Sequence, residues 1–260
     1  MQTEAAFRKL VDIVARLRGP NGCPWDREQT PATIAPNMIE ETYECAEAIS
    51  ENDASHIKEE LGDMILQTIL LSRMFEEHGV FDISDVLEGI SEKLIRRHPH
   101  VFAGLEVKDS AEVLDNWAKI KSGETGRKPK ESILDGIPAG LPPLDRALKL
   151  QQKAAKAGFD WTDINGVFAK IDEEIAEVKS AEPENQEAEL GDLLFMAINL
   201  CRFMKVDPSM ALINVNSKFT RRFNYIEKRM KETGAQLCRE NWNLMDDFWY
   251  EAKEKLEQKQ

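Results

Sequence analysis

Histidine and cysteine are scarce in this 260-residue chain, four of each, and neither gathers into a cluster. Cys23, Cys45, Cys201 and Cys238 contain no Cys-x-x-Cys pair. They therefore imply neither a zinc site nor a disulfide framework, and a reducing cytoplasm is the expected location. His56, His78, His98 and His100 all fall in the first half, apart from the acidic pattern described next, so the Glu-x-x-His pairs of di-iron bundles are not seen. No apolar run approaches the ~18 residues of a membrane span. Met1-Gln2-Thr3-Glu4 lacks the basic and apolar regions of a secretory signal, so no membrane partner is expected. Excess positive charge is missing too. Against 47 Asp and Glu stand 34 Lys and Arg, a net charge of −13, which is wrong for a surface that grips polymeric nucleic acid. Nor does any stretch alternate with period two for long enough to compete as a strand.

What the chain does have is an acidic pattern, written twice. Glu40, Glu41 and Glu44 are followed by Glu60-Leu61-Gly62-Asp63 and an apolar run; Glu173, Glu174 and Glu177 are followed by Glu189-Leu190-Gly191-Asp192 and another. Residues three or four apart share a helix face. One isolated Glu-x-x-Glu usually marks a solvated face, but repetition with the same apolar sequel points to a buried acidic cluster. Asp63 and Asp192, each set among leucines on a helix that is apolar round most of its circumference, are expected to be buried. That is costly unless they are paired or hold a metal.

Helical periodicity places helices at about 4–18, 32–51, 55–77 and 83–97, with another beginning near Ser110 and carrying Trp117. A stretch rich in Gly, Pro and charge, 123–143, then reads as a linker. After it the same order returns: a helix at about 144–157, two acidic helices split at Glu182-Pro183-Glu184, one at about 207–232, and Trp249 answering Trp117. The expectation is an all-α chain of two tandem four-helix domains, 1–122 and 144–260.

Carboxylates without histidine are hard oxygen ligands, suited to Mg²⁺ or Mn²⁺. Mg²⁺ commonly shares its coordination with substrate phosphates, so a phosphate ester or anhydride is the natural substrate. Lys93-Leu94-Ile95-Arg96-Arg97 and Lys218-Phe219-Thr220-Arg221-Arg222 follow the acids in each half. Lys with Arg at i+3 and i+4 gives one cationic face, either a phosphate grip or a solvated helix end; its recurrence favours the grip.

Together with Gly22-Cys23-Pro24-Trp25-Asp26 and the Lys93 to Phe102 segment, these motifs resemble the MazG family of tandem-domain nucleoside triphosphate pyrophosphohydrolases, over essentially the whole chain. The resemblance implies a homodimer, Mg²⁺ dependence, and conversion of a nucleoside triphosphate, ribo or deoxy, to monophosphate and pyrophosphate, a cleansing of the nucleotide pool. It implies metal ligands at Glu41, Glu44, Glu60 and Asp63, and at Glu174, Glu177, Glu189 and Asp192. Nucleotide contacts are implied at Lys218, Arg222 and Trp249. With the metal polarising the phosphate, water is the nucleophile. Glu40 and Glu173 either orient that water or a second metal, or are solvated neighbours. Trp249 either stacks on a base or is a core residue. Two rival readings are a helical dimerisation or regulatory protein with reduced catalysis, and a pyrophosphohydrolase specific for dUTP or dCTP.

Overall fold

A computed structural model describes residues 2–123 and 131–257. Among them the regular elements are all helical, and the chain divides into two compact units, Met1–Pro129 and Lys130–Gln260. Gly126 and Pro129 of the expected linker lie outside the described residues.

The first unit contains α1 (Gln2–Arg18), α2 (Pro24–Glu28), α3 (Pro31–Glu51), α4 (Ala54–Glu76), α5 (Ile83–Arg97), α6 (Pro99–Phe102) and α7 (Ser110–Gly123). The second contains α8 (Pro143–Lys156), α9 (Ile164–Ser180), α10 (Gln186–Phe203), α11 (Pro208–Thr233) and α12 (Trp242–Glu257), with a 3₁₀ turn at Arg239–Asn241. In each unit the two acidic helices pair, α3 with α4 and α9 with α10. The preceding helix packs on the second of them, α1 on α4 and α8 on α10, and the last long helices pair as α5 with α7 and α11 with α12. The internal repeat is thus a repeat of packing as well as of sequence.

Local chemistry explains the element boundaries. Asp53, Asp82, Asp163 and Asp207 each accept backbone N–H bonds at the start of α4, α5, α9 and α11, and Thr30 forms a capping box with Thr33 before α3. α10 begins without a side-chain cap. Two short helices replace expected irregular segments because Pro24 and Pro99 occupy first-turn positions, where the fixed proline φ suits a helix and the missing N–H costs nothing. Gly22 is required where the chain leaves α1: a Cβ there would stand 2.0 Å from the Leu17 carbonyl oxygen.

Val14, Ile34, Ile69, Leu70 and Met74 form the core of the first unit, with Phe7, Leu10 and Leu66 packed against them; Ile226, Met230 and Phe248 form a core of the second. Other apolar residues stay out. Leu61 and Ile65 on α4, Leu190 and Leu194 on α10, and Leu212, Val215 and Phe219 on α11 are all exposed. This is an unusual density of apolar side chains on helix surfaces.

The end of α1 is fixed to the end of α4 by Arg18, whose Nε and Nη2 donate to the two Glu77 carboxylate oxygens at 2.9 and 2.7 Å and whose Nη1 donates to the Asp26 and Gln29 carbonyls. The hydrogen bonds from Arg18 hold the Glu77 carboxyl below its ordinary range against the opposing effect of burial. A depressed carboxyl pKa contributes stability that is complete above the ordinary value of 4.5 and disappears as pH falls through the lowered one. Glu77→Gln is accordingly expected to lower the thermal midpoint by roughly 2–4 °C at neutral pH. The difference should vanish in acid, and a pH-independent difference would show that packing rather than charge is lost.

Candidate active site

Pairing of α3 with α4 brings one oxygen each of Glu41, Glu60 and Asp63 within 4.8 Å of one another; pairing of α9 with α10 does the same for Glu174, Glu177 and Glu189. The deepest acids are Glu60, 6% exposed, and Glu174, 4% exposed. Asp63 is half-buried and Asp192 is exposed, contrary to the expectation that these two would be the buried ones. The reason lies in the apolar runs that follow them, since Leu61, Ile65, Leu190 and Leu194 themselves face outward and leave that side of each helix open. Glu44 and Asp192, expected among the ligands, lie outside the two tight triplets. Glu44 nonetheless shares the field of its cluster. Burial, then the charges of Glu60 and Glu40, push its carboxyl above the usual range.

The units differ in how they answer this concentration of negative charge. In the first, His56 Nε2 sits 3.0 Å from Glu60 Oε1, and Gln67 Nε2 donates to Glu41 Oε1 at 3.3 Å. Glu60 Oε2 is buried and makes no hydrogen bond. In the second, the Lys170 ammonium lies 2.7 Å from Glu173, 2.9 Å from Glu174 and 4.0 Å from Glu177. Hydrogen bonds to Glu173 first and then to Glu174 raise the Lys170 pKa. Glu177 is pushed upward by burial despite the lysine. Glu40 and Glu173 both lie at the exposed rim.

Neither His56 nor Lys170 stands within the acidic motifs, and sequence reasoning passed over both. Each could have been found by stepping four residues back from a buried acid, to His56 from Glu60 and to Lys170 from Glu174.

The cationic segments are built alike in the two units. Arg97 stacks over Trp117, guanidinium carbon 5.0 Å from the ring centroid, and Lys121 lies at 4.5 Å from the same ring. Arg222 stacks over Trp249 at 5.1 Å, and Phe219 meets that ring at 5.4 Å. Trp249 packs against the α11 and α12 core, and its ring carries the Arg222 guanidinium. Arg222 is buried, Lys218 and Lys93 are half-buried, and Arg221 is exposed.

Carboxylates alone, one of them with a buried oxygen that lacks a hydrogen bond, suit a hard divalent cation. Residues 29–102 match the MazG nucleotide pyrophosphohydrolase domain, and residues 141–219 match the phosphoribosyl-ATP pyrophosphohydrolase family. Both halves thus fall in the class of all-α pyrophosphohydrolases. Across the whole length, a nucleoside triphosphate pyrophosphohydrolase of Escherichia coli K12 is 43% identical over 252 residues, covering 94% of this chain and 96% of that protein. The nucleoside triphosphate pyrophosphohydrolase/pyrophosphatase MazG of Thermotoga maritima is 43% identical over 251 residues, 95% of each chain. The uncharacterized protein YabN of Bacillus subtilis is 48% identical over 253 residues, 95% of this chain and 52% of its own. The chain belongs to the MazG family of nucleoside triphosphate pyrophosphohydrolases.

The different counter-charges give different responses to neutralising one acid. In chelator-treated protein, Glu60→Gln removes like-charge repulsion and keeps an acceptor for His56, so the thermal midpoint should rise by a few degrees. Glu174→Gln takes away one of the partners of Lys170 and should give no such gain. Both variants should lose Mn²⁺ binding in their own unit, measured by calorimetry. Equal thermal shifts would mean that Lys170 does not balance the second cluster.

Proposed function

We propose that this chain hydrolyses nucleoside triphosphates, ribo or deoxy, to the monophosphate and pyrophosphate, with Mg²⁺ or Mn²⁺ as cofactor. The observation that carries the reading is the convergence of carboxylates from paired helices in both units, on a chain that resembles enzymes of that name from end to end.

In this reading Glu174, Glu177 and Glu189, joined by Asp192, hold the cation in the second unit. Glu41, Glu44, Glu60 and Asp63 do so in the first. The cation supplies charge neutralisation at the phosphate under attack. Lys218, Arg221 and Arg222 contact the phosphate oxygens left over, with Lys93 and Arg97 as their counterparts, and Trp249 fixes the direction of the Arg222 fork. Glu173, and Glu40 in the other unit, orient the attacking water from the rim. Glu173 Oε1 lies 2.7 Å from the Lys170 ammonium, which holds the carboxylate in place at that rim. Water adds at the α-phosphorus, the bond to the bridging oxygen breaks, and pyrophosphate leaves.

The exposed leucines of α4 and α10 and the apolar face of α11 support a homodimer, because they represent apolar area that a lone chain leaves in water. Such an enzyme serves the cytoplasm by clearing unwanted nucleotides. The boundaries 1–122, 123–143 and 144–260 are the proposed division into two domains and a linker.

Activity should require Mg²⁺ or Mn²⁺ and stop in excess chelator, with pyrophosphate and monophosphate as the only products. Orthophosphate and diphosphate would make the protein an ordinary triphosphatase. Turnover confined to dUTP or dCTP would narrow the substrate to pyrimidines, and none with any triphosphate would leave a dimerisation or regulatory role. Asp192→Asn should cost at least as much turnover as Asp63→Asn, circular dichroism having shown both folded. The reverse order would place the chemistry in the first unit. Light scattering should give a dimer mass at micromolar concentration; a monomer would refute the dimer.

A further inference from the structure

In each unit the first helix packs on the second acidic helix, α1 on α4 and α8 on α10, and each joint is locked at one end by an arginine and a carboxylate. The polarity is opposite. In the first unit the arginine belongs to the first helix, since Arg18, the last residue of α1, meets Glu77 at the end of α4. In the second the carboxylate belongs to the segment leaving α8: Asp160 accepts from Nη1 of Arg202 at 2.9 Å and again from Nη2, and Arg202 stands near the end of α10. Hydrogen bonds from their arginines, before any other cause, hold Glu77 and Asp160 below the ordinary carboxyl range, so both joints stay charged at neutral pH.

Both arginines are largely withdrawn from water, with 8% and 13% of their side chains exposed. Each is braced by further acceptors, Arg18 by the Asp26 and Gln29 carbonyls and Arg202 by Asn199 Oδ1, at 3.0 Å from Nε and 2.7 Å from Nη2. A guanidinium held in this way cannot turn from a neighbour of its own sign without giving up those bonds. Packing contributes less at the second joint. A cavity of about 520 Å³ lies beside it, lined by Gln151, Phe195, Met196 and Asn199 as well as by Asp160 and Arg202. Side chains across an open space make few contacts, so the ion pair carries more of the choice of partner there.

Apolar stripes alone do not tell the two joints apart, because the units share their order of elements and their pairing of helices. Repeats of this kind are prone to exchange elements while they fold, within a chain or between chains. We propose that the reversed polarity sorts the helices, so that α1 docks on α4 and α8 on α10 and neither docks on the other's partner. α1 on α10 would set Arg18 against Arg202, and α8 on α4 would set Asp160 against Glu77. Each error opposes like charges at a part-buried position, where water screens them poorly.

The test unfolds full-length protein in urea, dilutes it, and measures by size-exclusion chromatography the fraction that fails to return to the elution position of protein never unfolded. Arg18→Glu with Glu77→Arg gives the first unit the polarity of the second and makes both errors attractive. Asp160→Arg with Arg202→Asp does the same from the other side. Either pair should raise the misassembled fraction about fivefold or more. All four substitutions together make the polarities opposite again and should bring the fraction back towards the wild-type value, even though they remove more native hydrogen bonds than either pair. A loss of stability without sorting would order the variants the other way, with the fourfold variant worst, and that order would overturn the proposal, as would an unchanged fraction in both pairs. Should a reversed pair fail to fold, Glu77→Gln gives the milder form of the test. It removes one of the two oppositions and should raise misassembly above that of Ile69→Val, which weakens the same unit to a similar degree without changing any charge; equal misassembly in these two would refute sorting.

Discussion

Crowding of like charge between paired helices is the constraint to which the rest of this protein answers. Carboxylates whose oxygens approach within 4.8 Å, on helices that bury Glu60 and Glu174, raise the energy of the folded chain unless positive charge arrives. Helix pairing, capping and the Arg18 to Glu77 clamp hold the backbone firm enough to sustain that repulsion. The apolar cores are otherwise modest. Much of the apolar surface of α4, α10 and α11 is not used inside the chain, which leaves the site elements stable in their own unit and still sticky towards another surface.

The two units share their carboxylates but differ in what surrounds them. The first cluster is answered by an imidazole and an amide, the second by an ammonium that touches three acids. An ammonium is a permanent charge at neutral pH, whereas an imidazole is charged or neutral according to its setting. The second unit therefore arrives partly neutralised. Because the lysine stem is flexible, its charge can move as another cation or a phosphate enters. The clamp of Arg97 on Trp117 and of Arg222 on Trp249 differs far less between the two units.

Periodicity made most of the fold legible, because long helices with one apolar stripe leave a strong signal. The boundaries of α5 match expectation to the residue, and those of α1, α3, α4, α8 and α11 fall within about two residues of it. The short α2 and α6 were hidden by the prolines that in fact start them. Six of the eight carboxylates singled out by spacing come together in the two triplets, while Glu44 and Asp192 do not, and depth left no trace in the spacing. Burial of Asp63 and Asp192 was inferred from apolar neighbours in sequence, and those neighbours turn out to lie on the open side. Contacts between elements left no pattern at all: Gln151 on α8 and Asn199 on α10 are 48 positions apart, and nothing in either segment marks them as facing one cavity.

The two acidic hairpins differ in reach. Glu44 and Glu60 are sixteen positions apart and Glu177 and Glu189 twelve, a difference of four, close to one helical turn. A difference of about one turn rotates no carboxylate off its face, so the acids keep the same register in a longer and a shorter hairpin. It also leaves Glu189 in the first turn of α10, a helix that begins without a side-chain cap, whereas Glu60 sits well inside α4 behind Asp53. Helix ends open and close far more readily than their middles. One cluster is thus set in a finished wall, the other carried on a hinge, and amide exchange in the opening turn of α10 would slow each time a cation settled there.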